Sequence, residues 1–165
     1  MRIWDGGYGI ARAILAFVLL LYGCGSFFLG FRRGKQRRVL STQVTAGEKT
    51  VLFRSLLDTG NLLRDPLTGT PVLVADREVA EKLLHVGKRQ LDRPTELIRD
   101  LMETMPELAP RLIPFRTVGR DHGLLLGIRC AELWIDGRRQ KSGILAFISG
   151  DFSEDGSYHG LTGGT

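Results

Sequence analysis

The sequence predicts a mainly β domain, closed or sandwiched, with one or two short helices and a single membrane-crossing helix in front of it. Three observations carry this prediction. Short runs of Val, Leu, Ile and Phe recur from Val51 to Ser149, separated by Gly, Asp and Asn, and such spacing marks strands joined by turns. Only two stretches repeat apolar residues at helical spacing. Finally, Ala13 to Phe31 contains no charged residue, about the ~20 residues a helix needs to cross a bilayer core.

Residues 1–12 read as a short extracytoplasmic segment and 13–31 as the membrane helix. Gly23, Gly25 and Gly30 weaken its second half, but glycine is tolerated in membrane helices. A buried helix of a soluble core fits less well, because apolar residues surround the whole helix rather than one face. A signal peptide is the other alternative, with Arg12 as its charged region and Leu21-Tyr22-Gly23-Cys24 as a lipoprotein-like box. Tyr22 fits that box poorly, and apolar sequence resumes after Cys24.

Residues 32–40 form a basic juxtamembrane linker. Arg32, Arg33, Lys35, Arg37 and Arg38 follow the apolar segment, while only Arg2 and Arg12 precede it. Basic flanks stay in the cytoplasm, which places the rest of the chain there, with the run lying against anionic lipid. The net charge of +5 invites a nucleic-acid reading, but with this run set aside little basic excess remains, so no nucleic-acid partner is expected. Cys24 and Cys130 lie far apart, and His85, His122 and His159 are scattered. No disulfide framework, metal site or cofactor is expected from them.

The main domain is placed at 41–161. Ser41 to Thr50 is polar, with a turn near Ala46-Gly47-Glu48. Strands are expected at Val51 to Leu57 and Pro71 to Ala75. Asp76 should cap a helix running to about Leu84, with Val79, Leu83 and Leu84 on one face. A second helix is expected from Pro94 to Met105, its stripe of Leu97, Ile98, Leu101 and Met102 serving ordinary packing. Further strands are expected at Leu112 to Val118, Leu124 to Ile128, Glu132 to Ile135 and Gly143 to Ser149, with turns at Gly119 to Gly123 and Asp136-Gly137. The glycine-rich end from Gly160 to Thr165 has the composition of a frayed terminus, and 162–165 is set outside the domain.

The candidate site is Asp58-Thr59-Gly60-Asn61. The apolar run ending in Leu56-Leu57 leads directly into it and turn chemistry follows, so a carboxylate sits at a strand end on a sharp loop. Gly60 allows close backbone approach, and the Thr59 hydroxyl can hold the loop by bonding to backbone. Amide hydrolysis without a metal needs both an acid and a base, and two aspartates sharing one proton serve as both. The chain holds one such motif, so a two-fold dimer would supply the second copy. By spacing alone, a plain Asx turn accounts for the motif equally well.

The run from Leu56 through Asp58-Thr59-Gly60-Asn61 and Asp65-Pro66-Leu67-Thr68-Gly69 to Val72 resembles the active-site stretch of the sporulation sigma-E factor-processing peptidases. Arg111-Leu112-Ile113-Pro114-Phe115-Arg116-Thr117-Val118-Gly119 is similar to a second block of that family, and Ser153-Glu154-Asp155-Gly156-Ser157-Tyr158 to a third. The resemblance implies a membrane-bound aspartic protease of endospore-forming bacteria with a retropepsin-like β-barrel. It implies a homodimer with Asp58 catalytic on each chain, a sigma-factor precursor as substrate and a forespore-derived signal protein as a further partner. Two features depart from the family. The family carries several membrane spans where this chain shows one, so the sequence reads as a piece keeping the last span. The end, Leu161 to Thr165, also leaves the family pattern, where retroviral-type proteases commonly build their dimer interface.

A protease of this type needs an apolar-apolar-Gly strand supporting its catalytic loop. Leu125-Leu126-Gly127 and Ile144 to Gly150 both qualify. Two other functions compete. One is a membrane-anchored binding module that keeps the fold without catalysis, which the missing spans and altered end favour. The other is a serine hydrolase using Ser149 or Ser153 with His159, which lacks any nucleophile-elbow pattern.

Overall fold

The computed structural model describes residues 38–117 and 120–163. The expected N-terminal segment, the membrane helix at 13–31 and residues 32–37 of the linker lie outside them. Among the described residues no helix is long and apolar enough to cross a membrane.

The elements follow in the order β1 (Val39–Ala46), β2 (Lys49–Leu57), β3 (Val72–Ala75), α1 (Arg77–Leu84), α2 (Lys88–Leu91), α3 (Pro94–Thr104), a 3-10 turn (Pro106–Leu108), β4 (Arg111–Thr117), β5 (Arg120–Cys130), β6 (Glu132–Ile135), β7 (Arg138–Arg139), β8 (Gly143–Phe147) and β9 (Gly160–Thr162). The expectation of a mainly β domain holds. The helical part is larger than the expected one or two helices: α1 and α3 are joined by the one-turn α2.

The nine strands of the described residues belong to one sheet, in the order β4-β5-β8-β3-β9-β2-β1-β6-β7. Most neighbours are antiparallel, but β3 pairs with β8 in parallel, and so does β2 with β9. The sheet curls. Val44 and Ala46 of β1 share a core with Ile128 and Cys130 of β5, although the two strands are far apart in strand order.

The middle strands are buried on both faces, which explains their unbroken apolar runs. Leu73, Ala75, Leu126, Leu145 and Phe147 face the larger core, where Val79, Leu83, Leu97 and Leu101 of α1 and α3 cover them. Val72, Val74, Leu125, Ile144 and Ala146 face a smaller core with Ile113, and Leu63, Phe115, Ile148, Phe152 and Leu161 pack at its margin. The candidate loop sits beside this smaller core.

Local chemistry explains the helix positions. Asp76 caps α1 by accepting from the N–H groups of Glu78 and Val79 at 3.1 and 3.3 Å, satisfying donors that the first turn leaves free. Pro94 opens α3, where its missing N–H costs nothing. In the expected stripe of α3, Leu97 and Leu101 are buried, while Met102 is 54 % exposed.

Three expectations need correction. The polar stretch from Ser41 belongs to β1, which starts at Val39 inside the expected linker and forms a hairpin with β2. Its inward row is Leu40, Thr42, Val44 and Ala46. The buried Thr42 hydroxyl is satisfied by Ser55 Oγ at 2.6 Å, so a polar residue occupies a core position and hides the alternation. The expected turn at Gly119 to Gly123 is strand from Arg120 onward, with Gly123 opposite Phe115. A Cβ on Gly123 would lie 2.3 Å from the Phe115 ring, so this glycine makes room for an aromatic rather than a bend. The stretch Gly160–Thr162, expected to fray, is β9, inserted between β2 and β3. By contrast, the turn at Asp136-Gly137 is as expected: both residues have positive φ, 51° and 74°, as a two-residue hairpin turn requires.

Candidate functional site

β2 ends at Leu57, and the chain turns sharply through Asp58, Thr59 and Gly60. The bend is held at its base by β9. The Asp58 N–H donates to the Thr162 carbonyl at 2.8 Å, and Asn61 N–H donates back to the Asp58 carbonyl at 3.0 Å. The Asp58 side chain is half-buried, and its Oδ1 accepts from Gly60 N–H at 2.9 Å. This is the Asx-turn bond that a carboxylate makes two residues on. A Cβ on Gly60 would lie 3.2 Å from that oxygen, so glycine leaves the carboxylate its space.

Of the residues expected to support the loop, Thr59, Gly60 and Asn61, it is Asn61 whose side chain ties it to its neighbours. Its amide nitrogen donates to the Val72 carbonyl at 3.2 Å, and its Oδ1 accepts from Leu63 N–H at 3.1 Å. The loop is thereby bonded to the start of β3. Thr59 is exposed, and its hydroxyl takes none of these bonds.

Beyond Asn61 the chain forms a small hairpin. Val72 N–H bonds the Leu63 carbonyl, Arg64 bridges to Pro71, and Asp65 N–H bonds the Thr70 carbonyl. At its tip the Asp65 carboxylate is buried, 1 % exposed. It accepts from Thr68 Oγ1 at 2.6 Å and from Arg111 Nη1 at 2.8 Å. Burial works against its charge, but the Thr68 hydroxyl, the Leu67 N–H and the Arg111 guanidinium together hold its carboxyl below the usual aspartate range.

Neither expected supporting strand pairs with β2, the strand that leads into the loop. Leu125-Leu126-Gly127 is in β5, between β4 and β8, and Ile144 lies in β8, between β5 and β3. Gly127 serves another purpose: a Cβ there would lie 2.6 Å from Ile113. The strand beside Asp58 is Gly160–Thr162, in parallel register with Ser55, Leu56 and Leu57. Two glycines fit it there. A Cβ on Gly160 would lie 2.8 Å from the Phe53 ring, and one on Gly163 would lie 2.9 Å from the Asn61 carbonyl. The signal in the sequence was the apolar Leu161 between these glycines.

Ser153 and His159, two members of the serine-hydrolase alternative, are engaged elsewhere. His159 Nδ1 lies 2.9 Å from the buried Asp76 carboxylate, tying the approach to β9 to the cap of α1. Ser153 Oγ bonds Asp155 and Ser157, not His159. Burial pushes the Cys130 thiol up to about 12, which keeps it protonated and unreactive. Among the described residues no group of three or more His, Cys, Asp or Glu side chains is placed to hold a metal ion.

Similarity to known proteins converges on one family. The family model described as sporulation factor SpoIIGA, peptidase family U4, matches residues 8–163. The sporulation sigma-E factor-processing peptidase of Bacillus subtilis (strain 168) is 35 % identical over 94 residues, covering 54 % of this chain and 30 % of that protein. The peptidase of the same name from Priestia megaterium is 28 % identical over 94 residues, 56 % of this chain and 31 % of that protein. The chain thus aligns with roughly a third of the length of these two relatives. No solved structure gives a significant match. With Asp58-Thr59-Gly60 and β9 both inside the matched span, the chain belongs to the SpoIIGA family of sporulation peptidases.

Proposed function

We propose that this chain is the peptidase part of a membrane-anchored aspartic endopeptidase that cleaves a sporulation sigma-factor precursor, working as a homodimer with one Asp58 from each copy. The observation that carries the reading is the Asp58 loop: a half-buried carboxylate at a strand end, braced by Gly60, Asn61 and the parallel β9, in a chain of a peptidase family. The names of the two relatives, sigma-E factor-processing peptidases, suggest the substrate class. The placement of β9 between β2 and β3 supports a retropepsin-like arrangement, in which a strand from late in the chain backs the catalytic loop. The uncharged stretch 13–31 and the basic run after it support a membrane anchor with the peptidase on the cytoplasmic side.

In this mechanism the two Asp58 carboxyls face each other across the two-fold axis and share one proton. Like charges so close cannot both ionise easily, so the pair titrates as a unit. The ionised carboxylate takes a proton from the attacking water, and the protonated one donates to the scissile amide. The Gly60 N–H bond to Oδ1 aims each carboxylate. Asn61 and β9 keep the backbone still, so little reorganisation is left for the reaction itself.

The test is cleavage of purified precursor against pH and inhibitors. The expected profile is bell-shaped, with both limbs belonging to the pair. Statine-type peptides, which place a hydroxyl between two carboxyls, should inhibit; chelators and serine-directed reagents should not. Full loss with a chelator, or a single limb rising through neutral pH, would end the aspartic reading.

A further inference from the structure

The Asp65–Arg111 pair joins two segments that the mechanism above leaves unconnected. Its side chains are 0 % and 8 % exposed, and its N–O distance is 2.8 Å; the other Arg or Lys ion pairs among the described residues are all far more exposed. Asp65 forms the tip of the hairpin whose other end is the Asp58 loop. Arg111 opens β4, and its Nε is itself fixed by the Ala109 carbonyl at 3.0 Å. Ala109 is held at a positive φ of 44°, a conformation that a non-glycine residue adopts at a cost. The Ala109 carbonyl and the Asp65 carboxylate thus hold one guanidinium between them.

Stability alone does not account for this arrangement. A buried ion pair loses much of its attraction to desolvation, and apolar residues of similar size often serve as well or better. What an apolar pair lacks is direction. The pair fixes both the distance and the angle between hairpin tip and β4, whereas an apolar contact lets the two slide. The hairpin is pinned at one end by Asn61 on Val72 and at the other by Asp65 on Arg111. Asp58 lies three residues before Asn61, on the same short stretch of backbone.

We propose that Asp65 and Arg111 are positioning residues for the Asp58 loop: their buried pair locks the hairpin Leu63–Val72 onto β4 and so sets where the Asp58 carboxyl stands. This rests on the aspartic-peptidase reading. Catalysis is sensitive to such placement, and a shift of about 1 Å can cost roughly 100-fold in rate.

The experiment compares the full chain with Asp65→Asn, Arg111→Lys and the apolar double variant Asp65→Leu/Arg111→Met. Each is assayed for precursor cleavage at a temperature where circular dichroism shows it fully folded. The double variant should regain wild-type thermal stability while its kcat stays down by about 10- to 100-fold, with KM within about twofold because substrate contacts are untouched. Arg111→Lys, which keeps charge but loses the fork, should fall between. A double variant whose kcat returns with its stability would overturn the proposal and leave the pair purely structural. If Asp65→Asn does not fold, the double variant alone decides. Asp58→Ala, assayed alongside, separates the two claims: wild-type cleavage in that variant ends the aspartic reading itself, while wild-type cleavage in the double variant ends only the positioning role.

Discussion

The backbone N–H of Asp58 donates to the carbonyl oxygen of Thr162 at 2.8 Å, so the candidate catalytic residue is bonded to β9, an inner strand of the sheet. The bond requires β9 to lie flush between β2 and β3. Gly160 and Gly163 permit that, since a side chain at either position would strike Phe53 or the Asn61 carbonyl.

Gly160→Ala and Gly163→Ala should therefore both act on Asp58. Overpacking of this kind costs roughly 1–3 kcal/mol. At Gly160 the obstruction includes the Val74 carbonyl at 3.0 Å, which cannot rotate away, so lower stability in urea is expected together with lost activity. At Gly163 the clash is with the loop's own backbone, and activity should fall further than stability does. Wild-type activity in Gly163→Ala would show that β9 does not brace the loop.

Acid should weaken the fold through Asp65. The native carboxyl titrates below its usual range, whereas in the unfolded chain it titrates near ~3.9. The unfolded state thus takes up the proton first. The contribution of this pair is complete above about pH 4 and is lost as pH falls through the native value. Urea midpoints measured from about pH 6 to about pH 2 should drop more steeply for wild type than for Asp65→Asn. Equal slopes would show that the pair carries no charge-dependent stability.

Thr59→Ala should leave the stability of the isolated chain nearly unchanged, because the exposed Thr59 hydroxyl takes no part in holding the loop. In the proposed dimer the two loops would meet, and the hydroxyl would find its partner there. Losing such a bond costs on the order of 1 kcal/mol, or several-fold in the dimer dissociation constant. Sedimentation equilibrium on wild type and Thr59→Ala provides the comparison. A lower thermal midpoint with unchanged association would place the hydroxyl inside the chain's own fold instead.

Local chemistry was legible in the sequence, and long-range partnership was not. Asp76 announced α1, Pro94 announced α3, and Glu132 to Ile135 appears as the expected strand, because caps, proline and β-forming runs act on their neighbours in sequence. β1 was hidden because its inward row contains Thr42, whose burial makes sense only with Ser55 across the hairpin. β9 was hidden because glycine usually marks a loose end; here it marks crowding by Phe53 and Asn61. At the site, Asp58, Gly60 and Asn61 were visible from their order along the chain. The pairings of Asp58 with Thr162 and of Asp65 with Arg111 were not, since no local spacing encodes which distant strand a loop will meet. Asn61 braces the loop because its carboxamide reaches both the Val72 carbonyl and the Leu63 N–H, while Thr59 stands exposed.

The most direct test of the account is single-turnover cleavage of the proposed sigma-factor precursor substrate by the full chain and by Asp58→Ala, each shown to be folded. Removing one member of a catalytic unit typically removes nearly the whole rate, about 10³-fold or more. The account predicts a loss of that size, unchanged by adding more enzyme. Cleavage by Asp58→Ala within about twofold of wild type, at the same peptide bond, would contradict it, since a loss from a merely structural Asx turn would track stability rather than rate.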